Sequence, residues 1–101
     1  MTRFMAADPA DHIKDAQDVE AYINAWLEDG TAQEIAAALG TVARSEGMSD
    51  LARKTGISRV GLYNALSDHG NPSLDTALKV LRALGFRVRV ETDPSAEAAL
   101  V

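Results

Sequence analysis

The sequence has no cysteine, only two histidines and no long uninterrupted run of apolar residues. The lack of cysteine excludes disulfide bonds, cysteine-ligated metals and a thiol nucleophile, and it agrees with a reducing compartment. A membrane-spanning helix needs about 20 consecutive apolar residues, and no such run is present. We therefore expect a cytoplasmic protein with no membrane partner.

Patterns that indicate catalysis or cofactor binding are also missing. No glycine-rich phosphate loop follows a strand, and no histidine pair has zinc spacing. His12 and His69 lie in polar, loop-like stretches, where a solvent-exposed histidine is the ordinary outcome. Acids ahead of a helix stabilise its N-terminus, and we favour this role over a metal cluster for four early aspartates: Asp8, Asp11, Asp15 and Asp18. We expect no enzyme activity, no metal site and no cofactor.

The composition is typical of one small globular domain, with 101 residues, 47% hydrophobic and 25% charged. The formal net charge of −5 is unevenly distributed. Residues 1–43 carry a net charge of −6, residues 44–89 carry +4, and residues 90–101 carry −3. Local potential matters more to a bound ligand than total charge, so the middle of the chain suits an anionic partner. The acidic N-terminal part suits a basic partner, or serves solubility.

Apolar periodicity predicts two helices in the first half of the chain. The first starts at Asp15–Asp18 and ends at Gly30, and we expect its apolar stripe to lie in the core: Val19, Tyr22, Ile23, Trp26 and Leu27. The second starts with a capping-box pattern at Thr31–Glu34 and runs to about Glu46. Glycine inside a helix costs about 1 kcal/mol relative to alanine, so Gly40 marks a close helix crossing.

The middle stretch, Met48–Leu66, reads MSDLARKTGISRVGLYNAL and predicts two short helices joined by a sharp turn. Asp50–Lys54 forms the first helix, and Gly56 ends it in the left-handed conformation that glycine accepts most readily. Ser58 then caps the second helix, Arg59–Leu66. This spacing is typical of a helix-turn-helix.

A fifth helix and one strand follow. Ser73 caps a helix over Leu74–Leu84, and its expected core face is Leu74, Ala77, Leu78 and Leu81. Beyond Gly85, alternation of apolar and charged residues predicts a strand over 86–92 with Phe86, Val88 and Val90 on its apolar face. A lone strand leaves backbone groups unpaired, so it must pair with its symmetry mate, with another protein or with the segment Thr2–Met5.

The expected fold is therefore mostly α, with five helices and one C-terminal β-strand. Residues 1–14 are expected to form a loose arm, residues 15–92 a single domain, and residues 93–101 a flexible tail.

The second helix of a helix-turn-helix enters the major groove of DNA, where its first residues meet base edges. Arg59 can bond guanine bidentately, Asn64 can bond adenine, and Val60 can touch a thymine methyl group. Tyr63 can reach a phosphate. Four flanking residues are candidates for further phosphate contacts: Arg53, Lys54, His69 and Asn71. The alternative is that the three-helix arrangement only packs a core, and that these are ordinary surface residues.

Asp50 is an acid inside this basic stretch. It would repel the DNA backbone if it faced the phosphates. The alternative is that Asp50 caps its own helix.

The stretch GMSDLARKTGISRVGLYNALSDHGNPSLDTALKVLRALGFRVRV resembles the lambda-repressor-like, Xre/Cro-type helix-turn-helix of HigA-like addiction module antidote proteins. The preceding AYINAWLEDGTAQEIAAALGTVARSEGMS resembles the N-terminal part of that family, so the resemblance spans about residues 12–92. Residues that match the family's recognition helix are Ser58, Arg59, Tyr63 and Asn64.

The resemblance implies a type II antitoxin that binds its own operator DNA as a homodimer, represses its operon and neutralises a small basic toxin. A dimer would place two recognition helices about 34 Å apart and so predicts a pseudo-palindromic operator. Two alternatives are open: a protein-interaction module without useful DNA affinity, and a general Xre-type regulator without a toxin partner.

Overall fold

The computed structural model describes residues 15–96, which form five α-helices and one turn of 3-10 helix, Pro94–Ala96. The five helices are α1 (Ala16–Asp29), α2 (Ala32–Glu46), α3 (Met48–Thr55), α4 (Arg59–Ala65) and α5 (Leu74–Ala83). The expectation of a mostly helical fold is confirmed. The expected loose arm over 1–14, with His12 and the segment Thr2–Met5, lies outside the described residues, as does the end of the tail.

The starts of the first two helices follow local capping rules. Asp15 accepts a hydrogen bond of 2.9 Å from the backbone N–H of Asp18 and so caps α1. The capping box of α2 is complete, because Thr31 accepts from the Glu34 N–H at 3.1 Å and Glu34 accepts from the Thr31 N–H at 2.9 Å. Each contact gives an otherwise unpaired donor of the first turn a partner.

One apolar core joins all five helices. Helix α1 packs on α2, and α3 packs on α2, α4 and α5. The buried side chains at the centre are Val19, Ile23, Ala38, Leu39, Val42, Ala43, Met48, Leu51, Leu62, Leu66 and Val80. Because α3 and α4 each supply buried leucines, the core determines how the two helices of the central motif are oriented.

Three residues expected in the core are exposed. Trp26 is 36% exposed and Leu27 52% exposed near the end of α1, and Leu74 is 76% exposed at the start of α5. The apolar stripe of α1 was assigned correctly at Val19 and Ile23, which are buried. Periodicity identifies the apolar face of a helix, but it does not show where the packed neighbour ends.

Gly40 lies where α2 meets the end of α4. A Cβ atom at position 40 would stand 2.0 Å from the backbone oxygen of Leu66. The predicted close crossing is therefore confirmed, since no side chain can be accommodated between these two backbones.

The strand expected over 86–92 is not present: residues 15–96 contain no β-strand. A strand is defined by a ladder with a neighbour, and this part of one chain offers no partner segment. Instead, α5 ends in a Schellman motif in which Gly85 has φ +94°, the Phe86 N–H donates to Leu81 and the Gly85 N–H donates to Arg82. The motif directs the chain back toward α1, where Phe86 packs against the core.

Candidate nucleic-acid interface

The turn between α3 and α4 has the geometry expected from the sequence. Gly56 is left-handed with φ +77°, and its N–H donates to the Ala52 oxygen at 2.9 Å. Thr55, which is not among the predicted site residues, also shapes the turn: its hydroxyl donates to the Leu51 oxygen at 2.8 Å and accepts from the Ile57 N–H at 3.2 Å. A threonine just before a helix-ending glycine is a recognisable signal, because its hydroxyl can pair with nearby backbone groups.

Helix α4 is held at both ends. Ser58 accepts a hydrogen bond of 3.0 Å from the Gly61 N–H and caps the helix, as predicted. Leu62 is fully buried and Leu66 is 3% exposed, which anchors the inner side of α4 in the core. The rotation of α4 about its axis is therefore determined by packing.

The outer side of α4 presents the four residues assigned to base and phosphate contacts. Val60 is 70% exposed and Tyr63 46% exposed, and Arg59 and Asn64 are exposed beside them. Residues four apart on a helix lie on one face, so Arg59 and Tyr63 are neighbours, as are Val60 and Asn64. We call these four residues the α4 face. Within residues 15–96, Arg59 forms no salt bridge.

The basic residues of α3 are paired with Asp50. Lys54 Nζ lies 3.2 Å from Asp50 Oδ2, and Arg53 Nη2 contacts Asp50 Oδ1. The hydrogen bond from Lys54, followed by the positive charges of Arg53 and Lys54, holds the pKa of Asp50 below its usual value. The carboxylate therefore stays charged at neutral pH. It partly neutralises the positive charge of Arg53 and Lys54, which are two of the candidate phosphate ligands.

Asp50 does not cap α3. The cap position is Gly47, and no side chain bonds the first turn. The alternative that Asp50 caps its own helix is wrong, because the carboxylate is engaged by Arg53 and Lys54 one turn further on.

The loop after α4 holds the last two candidate phosphate ligands. His69 Nδ1 lies 2.9 Å from Asp68 Oδ1, and both side chains are largely exposed. Asn71 is exposed as well. Between them Gly70 is buried, and a Cβ atom there would stand 2.2 Å from the Ala65 oxygen. The loop is thereby held against the end of α4.

Replacement of Ser58 by alanine is expected to lower the free energy of unfolding by about 1 kcal/mol, because the Gly61 N–H loses its partner. The urea midpoint, followed by circular dichroism, measures the change. Ser45→Ala, an exposed position near the end of α2, is the control and should change stability by less than about 0.5 kcal/mol. Equal stability of Ser58→Ala and wild type would show that the Ser58 cap contributes nothing to the free energy of unfolding.

Other kinds of site find no support in residues 15–96. This part of the chain holds no group of three or more histidines and acids placed to bind a metal ion. None of its helices combines the length and the apolar character that crossing a membrane requires.

Comparison with known proteins adds an independent observation. Residues 3–92 match a family described as probable addiction module antidote protein. The chain is also similar to an uncharacterized protein of Haemophilus influenzae, with 42% identity over 84 residues that cover 83% of this chain and 87% of that protein. No solved structure is significantly similar to the chain.

Proposed function

The chain belongs to the family of probable addiction module antidote proteins, and from this membership we propose that it is the antitoxin of a type II toxin–antitoxin module. It is of the HigA-like kind, with an Xre/Cro-type helix-turn-helix. It binds its own operator DNA as a homodimer, represses its operon and neutralises a small basic toxin in the cytoplasm.

The α4 face carries the DNA-binding part of the proposal. Arg59 is exposed and free of salt bridges within residues 15–96, so both guanidinium edges are available for guanine O6 and N7. Asn64 bonds adenine, and the exposed Val60 contacts a thymine methyl group. Because Leu62 is fully buried, α4 cannot turn about its own axis, and the α4 face enters the major groove in a single orientation. Recognition of a base sequence requires such a fixed orientation.

Phosphate contacts position this helix on the duplex. Tyr63 reaches a phosphate from the α4 face itself. Ser58, exposed at the start of α4, is a further candidate for such a contact. The remaining phosphate ligands flank α4: Arg53, Lys54, His69 and Asn71.

The toxin partner is assigned to the acidic N-terminal helices. Helix α1 exposes acids along its length, including Glu20 and Glu28, and it exposes the apolar side chains of Trp26 and Leu27 near its end. Apolar anchors surrounded by one sign of charge suit a protein partner of the opposite charge.

Binding to the DNA upstream of the protein's own gene tests the proposal. Fluorescence anisotropy with that duplex and with an unrelated duplex, repeated across salt concentrations, should give at least a hundredfold preference for the upstream DNA. Equal affinity for both duplexes at every salt concentration would contradict operator reading. Coexpression with the product of the adjacent gene, scored by growth rescue, tests toxin neutralisation separately.

The pairing of Asp50 with Arg53 and Lys54 favours one alternative, an interaction module with little DNA affinity. A third possibility is an Xre-type regulator without a toxin partner. The interaction module predicts growth rescue without DNA preference. The regulator predicts DNA preference without growth rescue.

Replacement of Asp50 by asparagine is expected to strengthen DNA binding, because Arg53 and Lys54 become available to phosphates. Each added phosphate contact steepens the slope of log K against log salt by about 0.9, so a change of about 1–2 is expected. Asp29→Asn removes the same charge at the end of α1 and should leave the slope unchanged. If both variants gain affinity equally, net charge rather than release of these two residues is responsible.

A further inference from the structure

The segment that follows α5 has backbone groups without partners. Within residues 15–96, no backbone–backbone hydrogen bond involves an N–H or C=O group of residues 87–92. Such a row of open donors and acceptors is a template for pairing with another strand. The Schellman motif at Gly85 holds the beginning of this segment beside α1.

Exposed valines accompany these open backbone groups. Val88 is 56% exposed and Val90 is 94% exposed. Both are β-branched residues, which are enriched in strands because they pack well on a pleated surface. Val88 lines a groove with Leu27 of α1, which is itself about half exposed. A strand that pairs with this segment would extend the apolar surface formed by Val88 and Leu27.

The charge pattern of the segment suits a second copy of the same segment as its partner strand. Residues 87–93 read RVRVETD, so two basic residues precede two acidic residues at alternating positions. Within residues 15–96, neither Arg87 nor Arg89 is held in a salt bridge. An antiparallel copy of the same segment brings the basic half of one strand opposite the acidic half of the other.

We propose that residues 87–93 pair antiparallel with the same segment of a second copy, with the two-fold axis at Val90. In this register Arg89 lies opposite Glu91 of the second copy, and Arg87 lies opposite its Asp93. Each ion pair occurs twice by symmetry, and the two Val90 side chains meet on the axis. This assignment rests on the homodimer of the proposed function and specifies its interface.

Neighbouring registers are less favourable. An axis at Arg89 places the two Arg89 side chains opposite each other, and an axis at Val88 pairs Arg87 with Arg89. A parallel arrangement in register stacks identical charges. A shift of the pairing by a single residue sets charged faces against apolar faces. Like charges directly opposite one another destabilise a strand pair.

Cysteine cross-linking of the full chain reads the register directly, because the natural sequence contains no cysteine. Opposite residues of an antiparallel pair have Cα atoms about 4.5–5.5 Å apart, within the span of a disulfide. Val90→Cys should therefore give a covalent dimer under mild oxidation. Val88→Cys is the matched control, since its two copies lie about 13 Å apart along the strands.

The outcomes separate the possibilities. Efficient cross-linking of Val88→Cys with none of Val90→Cys would overturn the register. Failure of both, with a monomeric wild type in analytical ultracentrifugation, would overturn the interface. Cross-linking is measured without DNA, so a dimer of this register that ignores the upstream duplex contradicts the DNA reading and leaves the interface intact.

A charge exchange gives a second, independent readout. One chain carries Arg87→Glu and Arg89→Glu, and the other carries Glu91→Lys and Asp93→Lys. Each alone sets like charges opposite each other, and its dimer dissociation constant should rise at least about tenfold. Their mixture restores four opposite-charge pairs and should form a heterodimer. Circular dichroism checks that both variants are folded, and folded variants that fail to combine would overturn the proposal.

Discussion

Replacement of Gly40 by alanine is expected to lower the free energy of unfolding by about 2 kcal/mol. The added methyl group would stand 2.0 Å from the Leu66 oxygen, a backbone atom that cannot turn aside as a side chain would. Overpacking of this kind costs about 3 kcal/mol at the upper end of its usual range. The higher helix propensity of alanine offsets about 1 kcal/mol of that cost.

Thermal unfolding followed by circular dichroism measures this loss. For a domain of this size the melting temperature should fall by about 8–16 °C. Gly61→Ala is the matched control, because its Cβ would meet only side-chain atoms, Ser58 Oγ at 3.1 Å and Ile57 Cγ2 at 3.2 Å. The control should stay within about 1 kcal/mol of wild type. A Gly40→Ala protein as stable as the control would show that α2 and α4 separate easily.

Replacement of Arg59 by alanine is expected to weaken binding to the upstream DNA about 5- to 150-fold, corresponding to about 1–3 kcal/mol. A bidentate contact to guanine is lost, and with it the preference for that base. The loss should therefore be largest for the natural sequence and much smaller for a duplex with the contacted guanine replaced. Stability should change little, because Arg59 is exposed.

Affinity for a panel of single-base variants of the duplex provides the measurement. Arg82→Ala is the control, since Arg82 is exposed on α5, beside Lys54 and Thr55 of α3, and is not part of the α4 face. It removes the same charge and should lower affinity uniformly and only slightly. Unchanged base preference in Arg59→Ala would show that another residue of the α4 face reads the base.

Local rules predicted the starts of α1, α2, α4 and α5 and the central turn, whereas α3 begins at Met48 rather than at the expected Asp50. Asp15, Thr31, Ser58 and Ser73 each cap the helix expected from the sequence, and Gly56 is left-handed. These features depend on interactions between residues two to five apart, which a sequence displays directly.

Features that depend on distant neighbours were not predictable in the same way. Trp26 lies beside the start of α2 and Leu27 beside the segment after α5, and both stay partly exposed, which the periodicity of α1 alone does not contain. The missing strand over 86–92 has a similar cause. Its alternating pattern is real, but the partner that turns such a pattern into a strand is not among residues 15–96.

The candidate site was also predicted only in part. Packing of Leu62 and Leu66 leaves the α4 face outward, as the helical period implies. The pairing of Asp50 with Arg53 and Lys54 was missed, although spacings of three and four residues along a helix predict such contacts. Thr55 was missed as well, although a threonine just before a helix-ending glycine signals such backbone contacts.

Helix α4 has only seven residues. An isolated helix shorter than about 12–15 residues is marginal in water, so α4 owes its existence to the core beneath Leu62. On the proposed function, DNA recognition and folding are therefore thermodynamically linked. DNA that binds α4 must select the folded chain and raise its melting temperature in proportion to the logarithm of the DNA concentration. Equally, a peptide of α4 alone is expected to lack the DNA binding proposed for the whole domain.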